Sequence, residues 1–368
     1  MSFVWTLLCM ASVLAAPPTA QDNPDDPKQK NRFPAPDPYL QAHVWATLYD
    51  GDTDRTADPA GYGDPEDDPG FKIRRGRVGF TGQNEEWLYA VIVGQSAPFD
   101  GLAAVNTPRI DVVDAHAGWS PVDNLWLVAG VQKVPVSREL IMSSQRLALV
   151  ERSAASEWLI PGRDTGFLAN YQIGSETMYG RLSAGVFNGN RSLITDDNLG
   201  KLLAVRAEFV SGDANPYYTF GVVEGVTFAI AADFWRDDDV ATDTLGAGVD
   251  LMLRAGAVSF TAEARVADLA PDDTTINEPA VLAPIRQIGA LAQIGYTIGS
   301  FEPAARFSLF DDDTDLDDNG DVGDVLVGIT YGDRSARNRI GGGFVHRIEF
   351  QGAQTNNDTL RLWWLLRI

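Results

Sequence analysis

Leu245–Val266 reads LGAGVDLMLRAGAVSFTAEARV. Leu245, Ala247, Val249, Leu251 and Leu253 alternate with Gly246, Gly248, Asp250 and Arg254. After Ala255–Ala257 the pattern resumes, with Val258, Phe260, Ala262, Ala264 and Val266 set against Ser259, Thr261, Glu263 and Arg265. A period of two puts alternate residues on opposite faces of a strand. The stretch is therefore two strands joined by a short turn, each with one apolar and one polar face. A soluble sandwich produces the same alternation with its apolar face inward, so periodicity alone leaves both sandwich and membrane barrel open.

The connections decide between them. Sixteen candidate strands lie near 39–49, 71–82, 86–95, 109–119, 124–133, 165–173, 177–187, 199–211, 226–235, 243–254, 257–267, 285–297, 302–311, 323–332, 338–350 and 359–368. Gln83–Glu85, Ser120–Asp123, Ile173–Thr177, Ala255–Ala257 and Ile298–Phe301 are short breaks, whereas Asp50–Gly70, Ala97–Pro108, Val134–Asp164, Asn188–Asn198, Leu269–Pro284 and Asp312–Val322 are long. Short turns on one rim, long loops on the other and an even strand count are the organisation of an outer-membrane barrel. The predicted fold is all-β: a transmembrane antiparallel β-barrel of about 16 strands, with both termini on the short-turn rim. One join departs from the rule, because Ser211–Gly225 is long where a short turn is due; strand extensions at Tyr217–Val223 are the expected explanation.

Composition agrees. The chain has 368 residues, 45% of them hydrophobic, and a formal net charge of -22, which argues against nucleic acid as a partner. Cys9 is its one cysteine, so no disulfide framework exists. Residues 1–20 read as a secretory signal, with an apolar Phe3–Leu14 followed by small residues, and 21–38 as a polar, disordered periplasmic lead-in. The barrel is assigned to 39–368. Asp50–Gly70 carries eight acids and one Arg, and Asp311–Asp324 eight acids and no base, as solvated outer loops would. Trp45, Tyr49, Trp87, Tyr89, Trp119, Trp235, Tyr331, Trp363 and Trp364 stand near strand ends, where membrane barrels place their aromatic girdles.

Val134–Asp164 is the long loop of most consequence. It holds apolar Leu140, Ile141, Leu147, Leu149, Val150, Trp158, Leu159 and Ile160 together with Arg138, Arg146, Arg152 and Arg163, interleaved with Glu139, Glu151, Glu157 and Asp164. Long loops in compact domains are usually functional, and this one is suited to fold into the lumen and narrow it. Strand alternation turns Arg75, Arg77, Asp114, His116, Arg181, Ser183, Arg206, Glu208, Glu263, Arg265, Arg306 and Arg361 inward. The outward alternative would cost about 2–4 kcal/mol for an Arg or Lys at the bilayer midplane. Together with Lys133, Arg138, Arg146, Arg152 and Arg163, the inward arginines Arg75, Arg77, Arg206, Arg265 and Arg306 form the candidate pore-lining set, an electropositive waist inside an acidic exterior. For each Arg the competing reading is a wall residue paired with an acid such as Glu208 or Glu263.

Phe71–Gly79 (FKIRRGRVG), Asp114–Gly118 (DAHAG), Leu125–Val136 (LWLVAGVQKVPV), ERS at Glu151–Ser153 with PGRDTG at Pro161–Gly166, Ala184–Gly189 (AGVFNG) and Glu302–Phe310 (EPAARFSLF) occur in an order that resembles the phosphate-selective porin O and P family. The resemblance spans Tyr39 to Ile368. It implies a sixteen-stranded outer-membrane barrel, a homotrimer, passing small anions or other small solutes. Ile368 stands where such barrels usually end in Phe, and the net charge of -22 sits uneasily with anion selectivity. The expectation is a non-catalytic diffusion porin in outer-membrane lipid, narrowed by loop 134–164, passing small solutes or inorganic anions such as phosphate. A plugged structural barrel is the alternative. A barrel hydrolase built on Asp114, His116 and Ser143 or Ser144 is a further one; no nucleophile elbow, HExxH or phosphate loop supports it.

Asp315, Asp317, Asn319, Gly320 and Asp321 spell D-x-D-x-N-G-D, the opening of a calcium loop. Position 12 is Leu326 rather than Glu, so a solvated acidic loop with weak Ca2+ affinity is the expectation, and no other cofactor is called for.

Overall fold

The computed structural model describes residues 33–50, 70–96, 110–149, 151–189, 199–272, 283–317, 321–332, 337–351 and 358–368. The signal-like and lead-in stretches before Phe33 and most of the first acidic tract lie outside the described residues. Sixteen strands follow in chain order: β1 (Asp37–Asp50), β2 (Gly70–Gln83), β3 (Trp87–Ser96), β4 (Asp111–Val122), β5 (Leu125–Lys133), β6 (Arg163–Gly174), β7 (Met178–Phe187), β8 (Leu202–Ser211), β9 (Val226–Asp238), β10 (Thr242–Ala255), β11 (Val258–Pro271), β12 (Ile285–Tyr296), β13 (Phe301–Asp311), β14 (Val322–Gly332), β15 (Asn338–Glu349) and β16 (Thr359–Arg367). Every strand pairs antiparallel with its sequence neighbours, and β1 pairs with β16 to close the barrel. Backbone bonds between Leu40 and Ile368, in both directions, seal that seam at the short-turn rim. Closure removes the edges that an open sheet would leave unsatisfied in lipid.

Burial separates barrel from sandwich. On β8, Arg206 and Glu208 are buried while Leu203, Val205 and Phe209 are exposed. On β11, Ser259, Thr261, Glu263 and Arg265 are buried, and β10 buries Asp250 and Arg254 while exposing Leu245 and Val249. Polar faces turn inward and apolar faces outward, the reverse of a soluble sheet and the arrangement lipid requires.

Three local expectations are corrected. Trp45, Trp235 and Trp363 are buried inside the barrel rather than placed in a girdle. Cross-strand glycine makes the room for two of them: a Cβ at Gly246 would meet Trp235 at 2.0 Å, and one at Gly341 would meet Trp363 at 2.3 Å. Trp119, Tyr331 and Trp364 do lie on the outside. Second, Tyr217–Val223 is no strand; β8 stops at Ser211 and β9 starts at Val226. Third, the β1–β2 register shifts between His43 and Val44, opposite Arg75 and Ile73. That bulge buries Arg74 beside Arg75, so strict alternation missed one inward cation.

Candidate functional site

The loop between β5 and β6 lies inside the barrel. It contains two short helices, α1 (Arg138–Ile141) and α2 (Ala154–Trp158). Val134, Val136, Leu140, Leu159 and Ile160 pack on lumen-facing Phe187, Leu202, Ala204, Trp235, Ala267 and Phe310. Ala148 and Leu149 pack on Ala304, Leu326 and Val345. These apolar wall residues on β7–β9, β11 and β13–β15 break the polar inward face where the loop rests, so the loop is fixed by burial as a soluble core would be.

The walls hold α1 at both ends. Ser137 caps it, accepting from the Leu140 amide. The Ser137 amide donates to Asp233 at 3.1 Å, and the Glu139 amide to Glu263 at 2.6 Å. At the other end, Lys133 Nζ donates to the carbonyls of Leu140, Ile141 and Met142 at 2.7, 2.9 and 3.0 Å. Arg152 donates to the Glu139 and Met142 carbonyls. Acids sit at the amide end and cations at the carbonyl end, as the helix dipole favours.

Most predicted pore arginines meet carboxylates. Arg138 is fully buried and binds Glu208 at 2.9 Å and Asp250 at 2.8 Å. Arg206 binds Asp250 at 2.6 Å and Asp233 at 2.9 Å, and Arg265 binds Asp233 at 2.7 Å and Glu263 at 3.2 Å. Arg75 grips Glu151 through two bonds, 2.7 and 3.0 Å, and Arg74 adds a third at 3.1 Å. Arg306 binds the Glu151 carbonyl at 2.6 Å and reaches Glu139 at 3.4 Å. Burial pushes the Glu151 carboxyl up, but Arg74 and Arg75 outweigh it and hold the group well below the ordinary carboxylate range. Arg75, Arg138, Arg206, Arg265 and Arg306 thus each stand within ion-pair distance of a carboxylate. Arg74 belongs with them, and the β-bulge was the signal that alternation could not supply.

Lys133, Arg152, Arg163 and Arg77 form a second group. They lie within electrostatic reach of one another near Asp114 and Tyr39. Asp114 takes Arg163 at 3.0 and 3.2 Å. Lys133 and Arg152 donate to backbone carbonyls at the end of α1. Beside this group is a cavity of about 210 Å³ lined by Lys133, Ile141, Leu168, Arg181, Glu208 and Tyr217, among others. Arg146 is half-buried apart from them, beside Tyr218 and Arg367. The predicted cluster thus divides: Arg138 crosses to the β8–β10 wall, Arg146 faces another sector, and Lys133, Arg152 and Arg163 gather with Arg77.

Sequence reasoning also missed the cations that hold backbone. Arg339 donates to the Leu147 and Gln145 carbonyls at 2.7 and 2.5 Å, and Arg254 to the Phe220 and Gly221 carbonyls at 3.1 and 2.7 Å. Arg361, which alternation did turn inward, stacks on the Trp45 ring at 4.1 Å. His116 contacts the Val131 carbonyl, and Ser144 accepts from Gln41, so the hydrolase residues bond elsewhere. Of the calcium pattern, Asn319 lies outside the described residues and Asp315 and Asp317 are exposed. Asp321 instead converges with Asp311 and Asp312, their ligand atoms within 4.8 Å of one another.

The sequence model of the family described as phosphate-selective porin O and P matches residues 50–238, just over half of the chain. An uncharacterized protein of Aquifex aeolicus (strain VF5) is 24% identical over 233 residues, 53% of this chain and 52% of that protein. The chain thus spans about half the length of that curated relative. Among solved structures, the trimer form of the outer-membrane protein OmpT of Vibrio cholerae superposes with a TM-score of 0.56 at 11% identity, covering 92% of this chain and all of that one. The anion-selective porin from Comamonas acidovorans gives 0.56 at 10%, covering 91% and 100%. OmpF of Salmonella typhi gives 0.57 at 12%, covering 91% and 98%. At these identities the structural likeness is one of fold.

Proposed function

The chain belongs to the phosphate-selective porin O and P family, and from that premise we propose an outer-membrane diffusion channel that passes small anions along the β1–β6 side of its lumen. One observation carries the anion preference: Arg77, Lys133, Arg152 and Arg163 gather there around Asp114, with Lys133 and Arg152 also donating to backbone carbonyls. In a narrow passage fixed side-chain charge sets selectivity. The acidic outer tracts oppose anion entry while the waist favours it, so long-range steering is mixed. Inorganic phosphate is the first solute to test, given the family. A homotrimer is the assembly this reading adopts; the trimer form of the Vibrio cholerae protein supports it.

The test is the zero-current potential of the refolded protein in a planar bilayer across a KCl gradient. Chloride preference is expected, with phosphate competing for the current. Potassium preference would overturn the anion assignment and keep the channel. Absence of conductance would overturn the channel and favour a plugged barrel.

A further inference from the structure

The join between β8 and β9 enters the lumen from the rim opposite the 134–162 loop, and the two meet. Arg138 donates to the Pro216 carbonyl at 3.1 Å and stacks on the Tyr217 ring at 5.2 Å. Thr219 Oγ1 donates to the Arg146 carbonyl at 3.3 Å. The Tyr217 hydroxyl donates to Glu208 at 2.9 and 2.8 Å from its two oxygens. Arg254 grips the carbonyls of Phe220 and Gly221, and the Gly221 amide donates to buried Glu302 at 2.9 Å. Phe220 is buried beneath Arg339, which also holds the 134–162 loop. A connecting turn on a barrel rim needs none of this. Four lumen-facing charges, Arg138, Arg254, Arg339 and Glu302, touch a segment that could have been three residues long.

We propose that residues 212–225 are a second constriction element, and that Tyr217 is the residue through which it sets how wide a solute passes. The inference rests on the channel reading above. Tyr217 lines the same cavity as Lys133, Leu168, Asn170, Arg181 and Ser183. The first loop supplies one wall of that space and Tyr217 another, so the width is fixed by elements from both rims. Burial and Glu208 push the Tyr217 phenol up, so it stays a neutral donor and acts by bulk and hydrogen bonding rather than charge.

Three variants test this in planar bilayers, in a Cys9→Ser background: Tyr217→Ala, Tyr217→Phe and Tyr217→Cys. Heat-modifiable gel migration checks that each barrel has folded. Tyr217→Ala raises single-channel conductance by about twofold, because a narrow pore's conductance follows its cross-section. Tyr217→Phe, which keeps the ring, stays near the parent value. An anionic methanethiosulfonate reagent lowers the current through Tyr217→Cys. Parent-like conductance in folded Tyr217→Ala, or modified Tyr217→Cys with unchanged current, would overturn the proposal while the channel reading stands. A parent that conducts nothing overturns the channel reading and this inference with it.

Discussion

On the β8–β11 side of the lumen, Arg138, Arg206 and Arg265 meet Glu208, Asp233, Asp250 and Glu263. On the β1–β6 side, Arg77, Lys133, Arg152 and Arg163 gather around Asp114, and Lys133 and Arg152 donate to backbone carbonyls. The cations are of similar chemistry and all come from inward positions or from the infolded loop. What differs is the partner. A carboxylate cancels the charge and spends it on holding the loop; a carbonyl holds the side chain and brings no negative charge of its own. Pore arginines therefore cannot be counted as selectivity charges until their acceptors are known.

The largest effect expected is on the first side. Asp250 accepts from both Arg138 and Arg206, so Asp250→Ala leaves two buried guanidiniums short of a partner. Breaking a buried pair in this way costs about 3–5 kcal/mol. A lower urea midpoint of the folded barrel in detergent is the measurement, and a midpoint equal to the parent's would mean that this wall does not hold the fold.

The strands themselves were open to reading, because alternation such as that of Leu245–Val266 survives any partner. The loop's inward course was also legible, from apolar Leu140, Leu159 and Ile160 set among paired charges. The acceptors were not. Arg138 and Asp250 lie 112 residues apart, and their meeting depends on where a four-residue helix settles across a closed barrel. Arg74 was hidden by a bulge, and Trp235 and Trp363 by glycines on neighbouring strands that let a ring lie inside. The inward turn at 212–225 left a trace only as excess length; nothing in NPYYTFGV says which way it folds.

Glu151 gives the next effect and a pH signature. Its carboxylate takes three bonds from Arg74 and Arg75. Glu151→Gln is expected to lose about 1.5–3 kcal/mol near neutral pH, the range for hydrogen bonds to charged groups. A carboxylate whose pKa is depressed on folding stabilises above its unfolded pKa, and that contribution fades as pH falls toward the folded value. The gap between parent and variant should therefore be full near neutrality and shrink below the ordinary Glu range, about 4.3. A gap that widened in acid would reverse the sign and remove the depressed-carboxyl account.

Lys133→Gln sharpens the comparison from the other side. The variant loses three hydrogen bonds to the end of α1, and hydrogen bonds to charged groups are worth about 1.5–3 kcal/mol. It also removes an amino group that lines the 210 Å³ cavity. Stability should fall by an amount of that order, and the zero-current potential should shift toward cations. A loss of stability with selectivity intact would put Lys133 with the structural arginines and weaken the anion reading.

The smallest effect is expected at a pair as short as any of the buried ones. Arg286 binds Asp268 at 2.6 and 3.1 Å on the outer rim, and Arg206 binds Asp250 at 2.6 and 3.0 Å in the lumen. By geometry the two pairs are nearly the same. Yet the Arg286 and Asp268 side chains are 58% and 46% exposed, whereas those of Arg206 and Asp250 are 3% and 0% exposed. Water and salt screen the outer pair, and its members regain hydration when parted. Arg286→Gln should leave both the urea midpoint and the zero-current potential at parent values in high salt. If it moved the midpoint as far as Asp250→Ala, contact geometry rather than burial would govern these pairs. The division between a structural wall and a solute-facing wall would then lose its physical basis.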